Sequence, residues 1–254
     1  MKHKMSVEIT MPVYNEEEEL EEHITTLYDY CKVNLNVYTW HITIADNAST
    51  DHTSRIGEQL SKRYAEIDLL KLTQKGRGRA VKTAWQSSGA DICCYMDIDL
   101  STDLRHLPSL LNAIARGSDI AIGSRLRKNS VVIDRTIKRE VISRSYNLMV
   151  KLLFQTKFSD AQCGFKAVSK RVVADLIPHI RDNDWFMDSE LLIVGEKLGY
   201  VLYEVPVNWR DSPGSTVRVL PTAMGDIQGL RRLFITRPWT TLPKPHERKT
   251  GTRD

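Results

Sequence analysis

Ile92-Cys93-Cys94-Tyr95-Met96-Asp97-Ile98-Asp99 is the stretch on which the reading of this chain turns. Five apolar residues in a row, the longest such run in the sequence, read as a buried strand. The strand closes on two carboxylates one residue apart. Two acids at a strand end can meet at a hard divalent cation, because Mg²⁺ and Mn²⁺ take oxygen ligands and bridge carboxylates to substrate phosphates. An isolated Asp-x-Asp is equally a turn or a helix cap, so the neighbouring segments have to decide between the two.

On either side of this strand the pattern alternates. Val7 to Met11 reads as a strand, Glu16 to Lys32 as a helix with Leu20, Ile24, Leu27 and Cys31 on one face, and Val37 to Ala45 as a β-branched strand. A helix capped by Ser49 or Thr50 runs to Tyr64, followed by a strand over Ile67 to Leu72 and a helix over Arg79 to Ser88. Beyond the central strand come a helix from Leu104 to Arg116 and a strand over Ile120 to Ile122. Repeated β and α units of this length predict an α/β fold: one Rossmann-like domain with a mostly parallel central sheet and helices on both faces. Ligands bind such sheets at the carboxyl ends of the strands. Four of those ends carry polar clusters: Tyr14-Asn15-Glu16, Asp46-Asn47, Asp97-Ile98-Asp99 and Gly123-Ser124-Arg125. Their coincidence favours metal binding over a simple turn at Asp97 and Asp99.

Other segments carry weaker signals. Lys75-Gly76-Arg77-Gly78-Arg79 combines glycines with cations, as a phosphate-binding turn does, but an ordinary turn has the same composition. It matches neither the Walker loop nor the dinucleotide glycine motif, which argues against an NTPase and a Rossmann dehydrogenase. Glu140, Ser143, Arg144, Asn147 and Lys151 share one helical face, and Ile142, Tyr146, Met149 and Leu153 another. Such a helix packs on a core or lies at a membrane interface. His41, His52 and His106 lack ligand spacing, and Cys31, Cys93, Cys94 and Cys163 lack metal-finger spacing, so both sets read as structural.

The 254 residues carry a net charge of +4, unevenly divided: −5 up to Ile122 and +9 from Gly123 onward. The basic second half suggests an anionic partner: a phosphate, a nucleic acid or a lipid surface. Nucleic acid is disfavoured because the cations lack interleaved aromatic platforms. No run approaches the twenty apolar residues of a membrane span, and the start has no signal-like apolar core. The expectation is a cytoplasmic, non-secreted protein. Residues 1–237 are expected to form the domain, with a first half to about 122 and a second half beyond it, followed by a polar, flexible tail over 238–254.

The ordered motifs resemble a known family. Met11-Pro12-Val13-Tyr14-Asn15-Glu16-Glu17, Asp46-Asn47-Ala48-Ser49-Thr50-Asp51, Lys75-Gly76-Arg77-Gly78, Asp97-Ile98-Asp99 and Gly123-Ser124-Arg125 resemble family 2 glycosyltransferases of GT-A fold. Asp160 to Lys166, Trp185 to Leu191 and Val205-Pro206-Val207-Asn208-Trp209 resemble the dolichyl-phosphate glucose synthase branch, related to the dolichol-phosphate mannose synthases. The resemblance implies that Pro12, Tyr14 and Glu16 hold base and ribose, with Asp46 on the base and Lys75 near base or phosphates. Asp97 and Asp99 would serve a Mg²⁺ or Mn²⁺ ion and the diphosphate, with Ser101 beside them. Arg125, Arg139 and Ser143 match phosphate-binding positions, and Arg210 lies near a further one. Asp99, Arg125 and Arg139 would carry catalysis.

The implied reaction moves a hexose, by best match from UDP-glucose, onto a polyprenyl or dolichyl phosphate. It would take place at the cytosolic face of a membrane, reached by peripheral contact through the Lys138 to Phe154 helix and Leu230 to Ile235, or through a separate membrane protein. Rival readings are a GDP-mannose or UDP-N-acetylhexosamine donor, a soluble-saccharide acceptor served by Asp160 or Asp188 as base, and an inactive nucleotide-binding module.

Overall fold

The computed structural model describes residues 4–211 and 219–245. From the amino terminus, β1 (Ser6–Val13), α1 (Leu20–Asn34), β2 (Thr39–Asp46), α2 (Thr53–Arg63), β3 (Ile67–Lys71), α3 (Arg77–Ser87) and β4 (Ile92–Met96) alternate as the sequence predicts. A 3₁₀ turn, Leu104–His106, leads into α4 (Leu107–Ala115) and then β5 (Ile120–Ser124). The second half contributes β6 (Val131–Ile133), α5 (Ile137–Phe154), β7 (Phe165–Ser169), α6 (Lys170–Asp175), α7 (Met187–Leu198), β8 (Leu202–Pro206), β9 (Asn208–Arg210) and α8 (Val219–Thr236).

Seven strands form one sheet in the order β3-β2-β1-β4-β7-β5-β8, while β6 and β9 pair separately. All neighbours in the large sheet are parallel except β7, which runs antiparallel between β4 and β5. The two halves seen in the charge distribution therefore share one sheet. Because β7 runs backwards, its first residues lie at the carboxyl ends of its neighbours: Phe165 pairs with Met96, and Lys166 with Ile122. The segment just before it, Asp160 to Gly164, is thereby delivered to the ligand-binding edge.

One core lies on the face covered by α1, α2 and α4 and includes Ile9, Leu27, Ile44, Leu111 and Phe165. The other collects Trp85, Tyr95, Val150, Leu192 and Leu233 beneath α3, α5, α7 and α8. Burial of such side chains contributes about 1.5–3 kcal/mol each and holds the layers together.

Some local expectations shift. Neither Ser49 nor Thr50 caps α2, which begins at Thr53 after His52. Instead Ser49 Oγ accepts the Asn15 N–H, and Asn15 Oδ1 accepts the Thr50 N–H, so two strand-end loops clamp each other. Packing also continues past residue 237. Trp239 meets Phe154 edge-on and Leu242 lies against the second core, while residues 246–254 of the expected tail lie outside the described residues. On α5 both stripes are split: Ser143, Asn147 and Tyr146 turn inward, whereas Arg144, Ile142, Met149 and Leu153 are exposed.

Candidate active site

The carboxyl ends of β1, β2 and β4 form one wall of a cleft. Val13 pairs with Asp46 and Thr10 with Tyr95, so continuing the second register brings Asp97 level with Pro12. Three non-glycine residues in this wall, Asn15, Ala48 and Leu100, adopt positive φ of 55°, 61° and 47°. Each sits in the loop just beyond a strand end. Left-handed backbone of this kind costs about 1–3 kcal/mol and clusters at functional sites.

Asp97 and Asp99 line a recess with Ser101, Gly164 and Trp209. Gly164 is required there. A Cβ on it would lie 1.7 Å from Asp97 Oδ2, and its carbonyl accepts the Asp97 N–H at 3.1 Å. Asp97 Oδ1 accepts from Arg77, and burial holds its carboxyl above the usual range even with that guanidinium beside it. Asp99 accepts from Ser101 twice, from N–H at 3.0 Å and from Oγ at 2.6 Å. Ser101 therefore orients Asp99. Among the described residues no three acidic, histidine or cysteine side chains cluster as a complete metal cage. Two carboxylates one residue apart would still fit a divalent cation that takes its remaining oxygen ligands from outside the protein.

The expected nucleotide residues lie along the first wall. Tyr14 carries Lys75 Nζ 3.2 Å above its ring centroid, which brings the β1 end and the α3 loop together. Pro12 is buried in β1, and Glu16 follows it half-buried. Burial, with Glu19 and Asp99 nearby, pushes the Glu16 carboxyl up to about 7. Asp46 is buried, and its two oxygens accept from the Ser49 N–H and the Ser54 hydroxyl. Those two bonds hold the loop shape.

Opposite stands a wall of cations. Arg125, just past the end of β5, gives Nε and Nη2 to Asp160 at 2.8 and 2.9 Å, the bidentate fork geometry. That pairing holds Asp160 down to about 2 despite its burial. The Arg125 guanidinium lies 5.3 Å from the Trp209 ring centroid, and that of Arg135 lies 5.7 Å from it. Arg139, in the first turn of α5, pairs with Asp211, and Arg210 lies 3.5 Å from Asp134. Ser143 is buried on the same helix, its hydroxyl without a hydrogen-bond partner among the described residues.

Sequence reasoning missed two of these cations. Arg77 is buried, bonds Asp97 and Asp188 together, and stacks 4.7 Å from the Trp185 ring centroid. The only sequence signal was its place in the Lys75–Arg79 loop. Arg135 had none. Asp188 is further tied to Tyr95 and, at 3.0 Å, to Lys166, which together with Arg77 hold its carboxyl low despite burial. Asp160 and Asp188 are thus committed to cations rather than poised as bases. His41, His52 and His106 are structural: His106 accepts the Asn208 N–H, His41 meets Asp68 and His52 meets Glu17. Arg232 is bound by both oxygens of Glu190 and so does not face outward, unlike Phe234 and Ile235 beside it.

Known proteins share both sequence and fold. The chain is 31% identical over 95% of its length to glycosyltransferase AglD of Haloferax volcanii, of which it spans 38%. It is 28% identical over 91% of its length to the dolichyl-phosphate beta-glucosyltransferase of Dictyostelium discoideum, spanning 75% of that protein. Among solved structures, the glucosyl-3-phosphoglycerate synthase of Mycobacterium tuberculosis, in complex with Mn²⁺, UDP-glucose and phosphoglyceric acid, superposes with a TM-score of 0.70. The match covers 91% of this chain and 80% of that one at 13% identity, a likeness of fold. The family model described as "Glycosyl transferase family 2" matches residues 8–177, which takes in β1 to β5, the paired aspartates and Arg125 with Asp160. With that match laid over a sheet whose strand ends converge on Asp97 and Asp99, this protein belongs to glycosyl transferase family 2.

Proposed function

We propose that this protein transfers a hexose from a nucleotide sugar, UDP-glucose in the first instance, to a polyprenyl or dolichyl phosphate at the cytosolic face of a membrane, with inversion at the anomeric carbon. One observation carries the reading: Trp209 lines the recess of Asp97 and Asp99 and at the same time backs Arg125 and Arg135. A paired-acid site and an arginine cluster thus share one aromatic partition. The dolichyl-phosphate glucosyltransferase among the relatives supports the lipid phosphate acceptor, and the Mn²⁺ and UDP-glucose bound in the mycobacterial synthase support the donor and the metal.

In this reading Asp97 and Asp99 hold the divalent cation, which when bound stabilises the charge growing on the departing diphosphate. Arg77 fixes the rotamer of Asp97, and Ser101 that of Asp99. Tyr14 and Lys75 border the nucleotide, with Pro12, Glu16 and Asp46 shaping that end. A phosphate monoester needs no deprotonation to attack, so its requirement is placement by cations. Arg139, Arg135, Arg210 and the part of Arg125 not taken by Asp160 supply them. Asp160 and Asp188, already spoken for by Arg125, Arg77 and Lys166, argue against a sugar hydroxyl acceptor that would need one of them as base.

Membrane contact is part of the proposal. No helix among the described residues is long and apolar enough to cross a bilayer. Yet α5 presents Ile137 and Leu152 at 83% and 72% exposure, and α8 presents Met224, Ile227 and Ile235. Apolar side chains on two neighbouring helices, flanked by Arg144 and Arg231, suit shallow insertion beside anionic headgroups. The decisive assay offers a panel of nucleotide hexoses and polyprenyl phosphate, with Mg²⁺, Mn²⁺ or chelator, and reads products by mass spectrometry. A glycosylated lipid phosphate that disappears in chelator is expected. Transfer only to soluble acceptors, or full activity in chelator, would overturn the reading. Co-sedimentation with anionic liposomes tests the docking directly, and its absence at low salt would leave recruitment by a membrane protein.

A further inference from the structure

Most carboxylates buried around the cleft rest on a cation: Asp160 on Arg125, Asp188 on Arg77 and Lys166, Glu190 on Arg232. Asp226 of α8 does not. It is only 4% exposed, and its one hydrogen bond among the described residues is to Gln162 Nε2, which donates to Oδ2 at 2.7 Å. Its Oδ1 is buried with no partner among them. Burial, with the Asp182 and Asp188 charges adding to it, pushes this carboxyl up to about 7. A buried acceptor left unsatisfied costs about 1–3 kcal/mol, and such groups call for an explanation.

Gln162 supplies the location. It lies between Asp160, which clamps Arg125, and Gly164, whose Cα abuts the Asp97 carboxylate. Its side chain is half-buried, and among the described residues its amide makes no hydrogen bond other than the one to Asp226. The pair therefore offers one vacant acceptor, Asp226 Oδ1, beside an amide with a spare N–H and a spare carbonyl, two residues from the glycine that abuts Asp97. Trp185, 39% exposed and stacked on Arg77, adds an apolar surface near the same end.

Resting on the donor reading above, we propose that Asp226 and Gln162 form the hydroxyl-reading subsite for the hexose of the nucleotide sugar. One ring hydroxyl donates to Asp226 Oδ1, and its neighbour exchanges a hydrogen bond with the Gln162 amide. Adjacent hydroxyls of a pyranose present that donor and acceptor spacing, and their stereochemistry decides whether both bonds form. A site built to satisfy a hydroxyl discriminates strongly against a sugar that cannot supply it.

The test compares the wild-type chain with Asp226→Asn, which keeps shape, and Gln162→Leu. Calorimetry with Mn²⁺ measures UDP alone and UDP-glucose, and steady-state assays give kcat/KM for UDP-glucose and its C4 epimer UDP-galactose. Expected are UDP affinities within about twofold of wild type, a loss of tenfold or more in the affinity added by the hexose, and a selectivity ratio that falls at least tenfold. An unchanged ratio in both variants overturns the proposal. So does a drop in kcat alone, which would make Asp226 a base, or a parallel loss of UDP and UDP-glucose binding with a lowered melt, which would make the pair an internal tie. A wild type that transfers from none of the nucleotide hexoses overturns the functional reading and this one with it. Transfer with selectivity retained in the variants overturns this one alone.

Discussion

The two walls of the cleft are built from different physics. The wall of β1, β2 and β4 is held by hydrogen bonds between half-exposed loops, such as Asn15 with Ser49 and Thr50, and Glu17 with His52. The opposite wall is held by buried ion pairs that join distant parts of the chain: Arg125 to Asp160, and Arg77 to Asp188 across 111 residues. In the first, each group keeps access to water and can exchange it for a ligand. In the second, removing one partner strands a buried charge, as with Asp160, whose one ion pair among the described residues is to Arg125. Substitutions on the first wall should therefore damage function with little damage to the fold, and those on the second should damage both.

The sharpest contrast is expected from Asp99→Asn. The hydrogen bonds to the Asp99 carboxylate come from Ser101 alone among the described residues, so the melting temperature should stay within about 2 °C. Transfer should fall on the order of 10²–10³-fold through lost charge stabilisation. Parallel assays of product formation and thermal unfolding measure both. Next comes Arg125→Met, which leaves Asp160 charged and buried. It should lose about 3–5 kcal/mol of stability, and Arg125→Met with Asp160→Leu should recover most of that in a denaturant series. If the single variant melted like wild type, the distinction between the walls would collapse.

Glu8 tests the comparison from the other side, as a buried carboxyl under the first wall. Burial pushes it up to about 7 from an ordinary 4.5, so the folded chain binds a proton that the unfolded chain has released. Its contribution is fully present below pH 4.5 and is lost as pH rises through about 7. Glu8→Gln should flatten that part of the stability–pH curve, by up to about 3 kcal/mol, in chemical denaturation between about pH 4 and pH 8. The smallest effect belongs to Lys75→Met. Losing the cation over Tyr14 should weaken nucleotide binding by roughly three- to tenfold with an unchanged melt, measured by calorimetry with UDP.

Much of the first wall was legible because its information is local. Alternating apolar residues place the strands, and the polar residues that follow each strand fall at one edge, so Tyr14, Asp46 and Asp97 are nameable from sequence. The second wall was only partly legible. Phe165 to Ser169 looks like any short buried strand, and nothing in those five residues says that they enter antiparallel between β4 and β5. Of the three cations in the Lys75–Arg79 loop, Arg77 is the one tied to Asp97 and Asp188, because Asp188 is brought beneath it by α7. The periodicity of α5 is legible in the sequence, but its facing depends on which neighbours pack against it: Tyr146, Val150 and Phe154 turn inward while Ile142, Met149 and Leu153 stay outside. Asp226 carries no signal in its own neighbourhood.

The antiparallel entry of β7 also has a bearing on how the protein is made. A ribosome delivers β1 to β5 first, yet β5 bonds only to β7 and β8, both of which are synthesised later. Until Phe165–Ser169 emerges, β4 keeps one open edge and β5 keeps two, in a sheet otherwise ready to close. Unpaired edges invite pairing with other chains. Translation that stalls between residues 124 and 165 should therefore release a sticky intermediate, and a pause after β8 should not. The strand that carries Gly164 to Asp97 is also the one that ends the nascent chain's exposure to its neighbours.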